Sequence, residues 1–175
     1  MANKKFSAFS SGADATSASR IVGYTNSTTN NNQWTPEELA AGLQEHLPES
    51  FIIACSDETT ALTTGTNKAV FRMPYAFTVT AVRASLTTAG TGANLVTVDI
   101  NEDTTAGGVT PVSILTTPIT IDATEKTSTT AATQPVIGGA GPDLANDAQI
   151  TIDIDQIDSG GVSAGLKVTI IGYQS

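Results

Sequence analysis

The sequence predicts a mainly β chain: an antiparallel, jelly-roll-like sandwich preceded by an N-terminal arm and one short capped helix. Three observations carry that prediction. From Phe51 onward apolar residues recur at every second position, as in Val96, Val98 and Ile100 or Ile150, Ile152 and Ile154, the period of a strand with one buried face. These runs are separated by Gly, Thr, Asn and Pro clusters, such as residues 87–92 and 138–142, which close turns. No helical period interrupts the runs after Pro48, which argues against crossover helices and a parallel α/β sheet. Composition agrees, since 29 of the 175 residues are Thr, a strand former.

The elements follow in chain order. Residues 1–20 are Ser- and Ala-rich, with Phe6 and Phe9 as their only aromatics, too few apolar groups to fold alone, and are read as an extended anchoring arm. Residues 21–50 are read as a joint. In it residues 21–24 form a short strand, residues 25–32 a polar turn, and residues 36–47 a helix. Thr35 is the N-cap, Pro36 takes the first helical position where no donor is lost, and Glu38 closes a capping box. Pro48 ends the helix. Leu39, Leu43 and Leu47 recur every fourth residue and draw one narrow apolar stripe, which needs a neighbour because so short a helix is marginal alone.

Residues 51–175 are read as the β-sandwich domain, with strands at 51–56, 68–73, 77–86, 95–101, 112–115, 119–122, around 136, 149–157 and 166–173. Within 77–86 the apolar phase slips from Phe77, Val79 and Ala81 to Val82, Ala84 and Leu86, predicting a bulge near Ala81. Thr97, Asp99 and Asn101 alternate with the valines and are placed on a wet face. The last strand has apolar residues in both phases, so Ile171 and Tyr173 are expected to touch another subunit or the joint helix.

Little in the chain suggests chemistry. With one His and one Cys, His46 at the helix end and Cys55 on a buried strand, no Ser-His-Asp or Cys-His constellation is expected, and no cofactor. No phosphate-cradling Gly motif is present. Asp99, Asn101 and Asp103 have the first three spacings of a calcium loop, but Thr104 stands where its Gly belongs and Thr110 where its bidentate Glu belongs. Asp153, Asp155 and Asp158, leading into Ser159-Gly160-Gly161, form a second acidic run that is a candidate to converge on a hard cation at a strand end. Both runs are read as the solvated faces of acidic strands, which blunt edge pairing. Aromatic residues are only 5%, too few for the stacking platforms of a sugar-cleaving cleft. The chain is expected to be no enzyme.

A net charge of −9 repels polyphosphate and gives no footprint for nucleic acid. Lys4 and Lys5 are not followed by the apolar core of a signal peptide, and nothing approaches a membrane span, so synthesis in a cytoplasm is expected.

The segment Ile21-Val22-Gly23-Tyr24, a polar run, then Gln33-Trp34-Thr35-Pro36-Glu37-Glu38-Leu39 resembles a module near the amino ends of tailed-bacteriophage fibre and other virion proteins. The resemblance covers about residues 20–45. The remainder is similar to the small Thr-rich β-domains of phage structural proteins, above all in Ile150-Thr151-Ile152-Asp153-Ile154 and Leu166-Lys167-Val168-Thr169-Ile170-Ile171. The resemblance implies a virion structural protein, a homotrimer attached by its N-terminal region to capsid or tail components, with its β-domain projecting as capsid decoration or head fibre. Trp34, Leu39, Leu43, Leu47, Ile171 and Tyr173 are then the assembly residues. The alternative is a tail-fibre or receptor-binding module that recognises host-surface glycan through loops 87–94, 102–110 and 138–147, with Tyr75, Trp34 and Tyr173 as stacking candidates.

Overall fold

In the computed structural model, residues 21–24, 31–44 and 47–175 are described. The chain divides into two compact units, residues 1–44 and 45–175. The arm expected over residues 1–20 lies outside the described residues, as does His46.

In the first unit β1 (Ile21–Tyr24) pairs antiparallel with β2 (Asn31–Trp34), Ile21 opposite Trp34 and Tyr24 opposite Asn31. Asn31 and Asn32 therefore belong to a strand rather than to the polar turn read from the sequence. Backbone pairing overrides their poor strand propensity. The helix α1 (Pro36–Gln44) starts with the expected capping box: the Thr35 N–H donates to Glu38 Oε2 at 2.7 Å, and the Glu38 N–H to Thr35 Oγ1 at 3.0 Å. Its described residues run to Gln44, residues 45 and 46 of the expected helix lie outside the described residues, and Leu47, read as its last residue, is not helical. Leu47 precedes Pro48, whose ring disfavours helical backbone in the residue before it.

The second unit holds two antiparallel sheets. One has the order β11 (Asp143–Leu144), β5 (Phe77–Ser85), β13 (Lys167–Gln174), β3 (Glu49–Ala54). The other runs β4 (Gly65–Arg72), β12 (Gln149–Gln156), β6 (Val96–Asp103), the last paired with both β7 (Val112–Ser113) and β9 (Ile119–Ile121). A short ribbon of β8 (Leu115–Thr117) and β10 (Val136–Ile137) stands apart. With β3, β4, β5, β6, β9, β11, β12 and β13 taken as eight successive strands, one sheet reads first, eighth, third, sixth and the other second, seventh, fourth, fifth. That winding is a jelly roll.

The core lies between the sheets and is filled by the alternating residues the sequence points to: Val96, Val98 and Ile100 of β6, Ile150, Ile152 and Ile154 of β12, Val168 and Ile170 of β13. On β5 the buried set is Phe77 and Val79, then Val82 and Ala84, the expected slip. It arises where Gly172 pairs with Val79 while Ile171 pairs with Ala81, so that Thr80 is the extra residue. Gly172 is required there, because a Cβ would lie 2.0 Å from the Thr78 carbonyl oxygen. Cys55 sits just beyond β3, its N–H donating to the Leu166 carbonyl at 2.8 Å, and burial pushes its thiol up to about 11, against the lowering effect of the Val168 backbone.

The outer face of the second sheet corrects one expectation. Asn101 and Asp103 are buried rather than wet, as is Thr151 opposite Asn101. The loop after β6 returns to Asp103, which accepts from the N–H groups of Thr105 and Thr110. Gly108 lies against the Gln149 side chain, and the Arg72 guanidinium donates to the carbonyls of Ala106 at 3.1 Å and Asp147 at 2.7 Å.

Candidate functional site

The acidic residues separate into two kinds of environment. Asp99 and Asp153 face each other across β6 and β12. Asp99 Oδ1 accepts from the Ile100 N–H at 2.9 Å and the Ser113 hydroxyl at 2.7 Å. Asp153 accepts from the Asn67 N–H at 2.7 Å and the Asn101 amide at 3.1 Å. Asp155 is exposed beside them, and its carboxyl is raised by desolvation and by the charges of Asp99 and Asp153.

Asp103 and Asp158 do not join this group. Each holds its own loop. Asp103 accepts from the Thr105 hydroxyl, from the Thr105 N–H at 2.7 Å and from the Thr110 N–H, and these bonds, the Thr105 hydroxyl foremost, hold its carboxyl below the usual range. Asp158 is buried, which raises its carboxyl. The Ser163 hydroxyl and the N–H groups of Thr91, Ser163 and Val162 outweigh that and bring it to about 2. Asp57 does the same at the surface, where the N–H groups of Thr60 at 2.6 Å and Thr59 at 2.8 Å set its carboxyl at about 2. Among the described residues no group of three or more His, Cys, Asp and Glu is placed to hold a metal ion. Of the two runs, Asp103 and Asp158 fasten loops, while Asp99, Asp153 and Asp155 lie together on the outer phase of β6 and β12.

Sequence reading missed Glu102. It is buried on the inner phase of β6, in register with Ile150, and its Oε1 accepts from the Ala145 N–H at 2.8 Å. The alternation of Val96, Val98 and Ile100 carries the signal for it, because Glu102 continues their phase.

The assembly candidates fall on two surfaces. Leu39 and Leu43 lie on α1, 39% and 53% exposed, and Leu47 follows the helix at 61%. Trp34, half-buried, ends β2. Ile171 and Tyr173 are half-buried on β13, opposite Ala81 and Thr78 of β5, and Ile171 faces Ser50 of β3 on its other side. Of the stacking candidates, Tyr75 is already engaged: its hydroxyl donates to Glu49 Oε2 at 2.6 Å and its ring lies 6.1 Å from that of Phe51.

A groove of about 560 Å³ runs beside the β5 bulge, between residues 80–83 and residues 129 and 134–137. None of its lining residues belongs to loops 87–94, 102–110 or 138–147. Arg83 lines it and has no ion-pair or hydrogen-bond partner among the described residues, while the Gln134 amide is fixed to the carbonyls of Ala131 at 2.8 Å and Ser128 at 3.2 Å. No described helix is long and apolar enough to cross a membrane.

No protein-family profile matches the chain, and no curated protein matches it. Among solved structures, one from "Structure of infectious bursal disease virus Gx strain" aligns with 89% of this chain at 9% identity and a TM-score of 0.25. The chain spans 42% of that structure's length.

Proposed function

We propose that this chain is a non-enzymatic structural protein of a bacteriophage virion, attached to the particle by its N-terminal region and projecting the jelly roll outward as capsid decoration or head fibre. One observation carries the reading. The capped helix α1 presents Leu39 and Leu43 to solvent on a unit separate from the jelly roll, so an apolar contact surface exists outside the main core. The resemblance of residues 20–45 to the joint module of phage virion proteins supports the same reading. The test is retention on particles purified by density gradient. The chain should co-sediment in fixed ratio to the major capsid or tail protein, and Leu43→Asp should release it while far-ultraviolet circular dichroism and the melting of the jelly roll stay unchanged. A chain that never sediments with particles overturns the reading.

A second reading, a glycan-binding module of a tail fibre, is favoured by the groove beside the bulge, where the free Arg83 guanidinium could meet a sugar carboxylate. Glycan-array binding that is lost in Arg83→Ala would support it. Array binding unchanged by that substitution would place any glycan site elsewhere.

A further inference from the structure

Among the described residues the two sheets of the jelly roll end in unpaired edges, and all but one are guarded against pairing with another chain. β11 and β7 are two residues long and β9 three, too short to template a strand. β4 is eight residues long, but it carries Lys68 and Arg72, holds Asn67 in left-handed backbone at φ 57°, and shifts register between its pairings with Ile152 and Ile154. β3 carries one charge, Glu49 at its first position, and none of the other guards. Its six residues pair with β13 without a register break, from Ala54 opposite Lys167 to Glu49 opposite Gly172. Residues 50–54 carry no charge, and the carboxylate of Glu49 is engaged by the Tyr75 hydroxyl. At the middle of the strand Ile52 is 69% exposed.

The phase of the strand defines what its free side offers. The Cys55 N–H points at Leu166 of the chain segment entering β13, so by alternation the N–H and C=O groups of Phe51 and Ile53 face β13 and those of Ser50, Ile52 and Ala54 face outward. We propose that this edge pairs with the same edge of a second copy of the chain, antiparallel about a twofold axis at Ile52, joining two four-stranded sheets into one of eight strands.

The self-pairing is complementary. Ile52 meets Ile52 of the second copy on the outer face, Ser50 meets Ala54, and the outward groups of these residues form about six N–H···O bonds. Glu49 falls opposite Cys55, so no like charges face each other. A parallel arrangement would set the two Glu49 side chains on neighbouring strands at the same end. This contact goes beyond the proposed function and does not depend on it, since it concerns the jelly roll alone.

The test is the mass of the full chain by sedimentation equilibrium and light scattering. A dimer of twice 17.9 kDa is expected. Ile52→Lys sets like charges opposite each other at an exposed position and should weaken dimerisation by roughly tenfold or more with the melting temperature of the monomer fold unchanged. Ile52→Cys should give a disulfide-linked dimer on mild oxidation, because directly opposite residues of a hydrogen-bonded antiparallel pair lie about 5.5 Å apart at Cα, within disulfide reach. A chain monomeric at every concentration, which is also the outcome if its own first twenty residues cover the edge, overturns the proposal. So does a trimer, or any oligomer that Ile52→Lys leaves intact.

Discussion

Replacing Asp158 with alanine should destabilise the jelly roll by on the order of 3 kcal/mol at neutral pH. The magnitude follows from what the carboxylate holds. It accepts from the N–H groups of Thr91 at 2.9 Å, Ser163 at 3.1 Å and Val162 at 3.3 Å and from the Ser163 hydroxyl, so it ties the loop after β5 to the loop before β13. Each such bond contributes about 1 kcal/mol net, and the Val162 bond, being long, contributes less. Gly90 leaves the space for it, since a Cβ there would lie 2.5 Å from the Asp158 Cβ.

The pH dependence has a definite sign. The folded carboxyl sits at about 2, below its ordinary value of 3.8, so its contribution is complete above pH 4 and fades as pH falls toward 2. Urea unfolding of parent and Asp158→Ala at pH 7, 4 and 2.5 measures both effects. The parent should lose stability on acidification faster than the variant, although Asp57, also at about 2, leaves the variant some acid sensitivity. Equal stability at pH 7, or equal losses between pH 4 and 2.5, would refute the assignment of Asp158 as the tether.

Two further substitutions probe the packing. Ile152→Ala empties a fully buried position at the centre of β12 and should lower the unfolding free energy by about 2–5 kcal/mol with the m-value unchanged. Gly172→Ala forces a methyl group against the Thr78 carbonyl and the Phe77 ring at the bulge, and should cost about 3 kcal/mol or more, seen as a lower urea midpoint.

Much of the jelly roll was legible because it rests on local alternation. The slip between Val79 and Val82 marks the bulge, and the isoleucines of β12 mark a buried face. Where structure depends on distant chain, the sequence says less. Asn31 and Asn32 become a strand only through pairing with β1, and Asp143 and Leu144 only through pairing with Thr78 and Phe77. Asn101, Asp103 and Thr151 are buried on the phase that alternation marks as wet, and for Asp103 the partner Thr110 lies seven residues on in a loop that alternation cannot register. Asp103 belongs to a run expected to be a solvated face, yet it stands two residues before Thr105, whose N–H it accepts, and Asp57, which the sequence reading does not single out, stands in the same way before Thr59, an Asx-turn signal present in the sequence. Asp158 carries no such short-range mark, because one of its donors, Thr91, is far off in the chain. The capping box was read correctly at Thr35 and Glu38, since both partners lie within four residues.

The proposed function puts this chain on a virion with its N-terminal region toward the particle and its jelly roll outward. Electron microscopy of purified particles, with gold label attached either at Met1 or at Ser175, tests it most directly. Label is expected at regular positions on the particle, with the Ser175 label further from the particle surface than the Met1 label. Particles without label in either case, or with the Ser175 label the nearer to the surface, would contradict it.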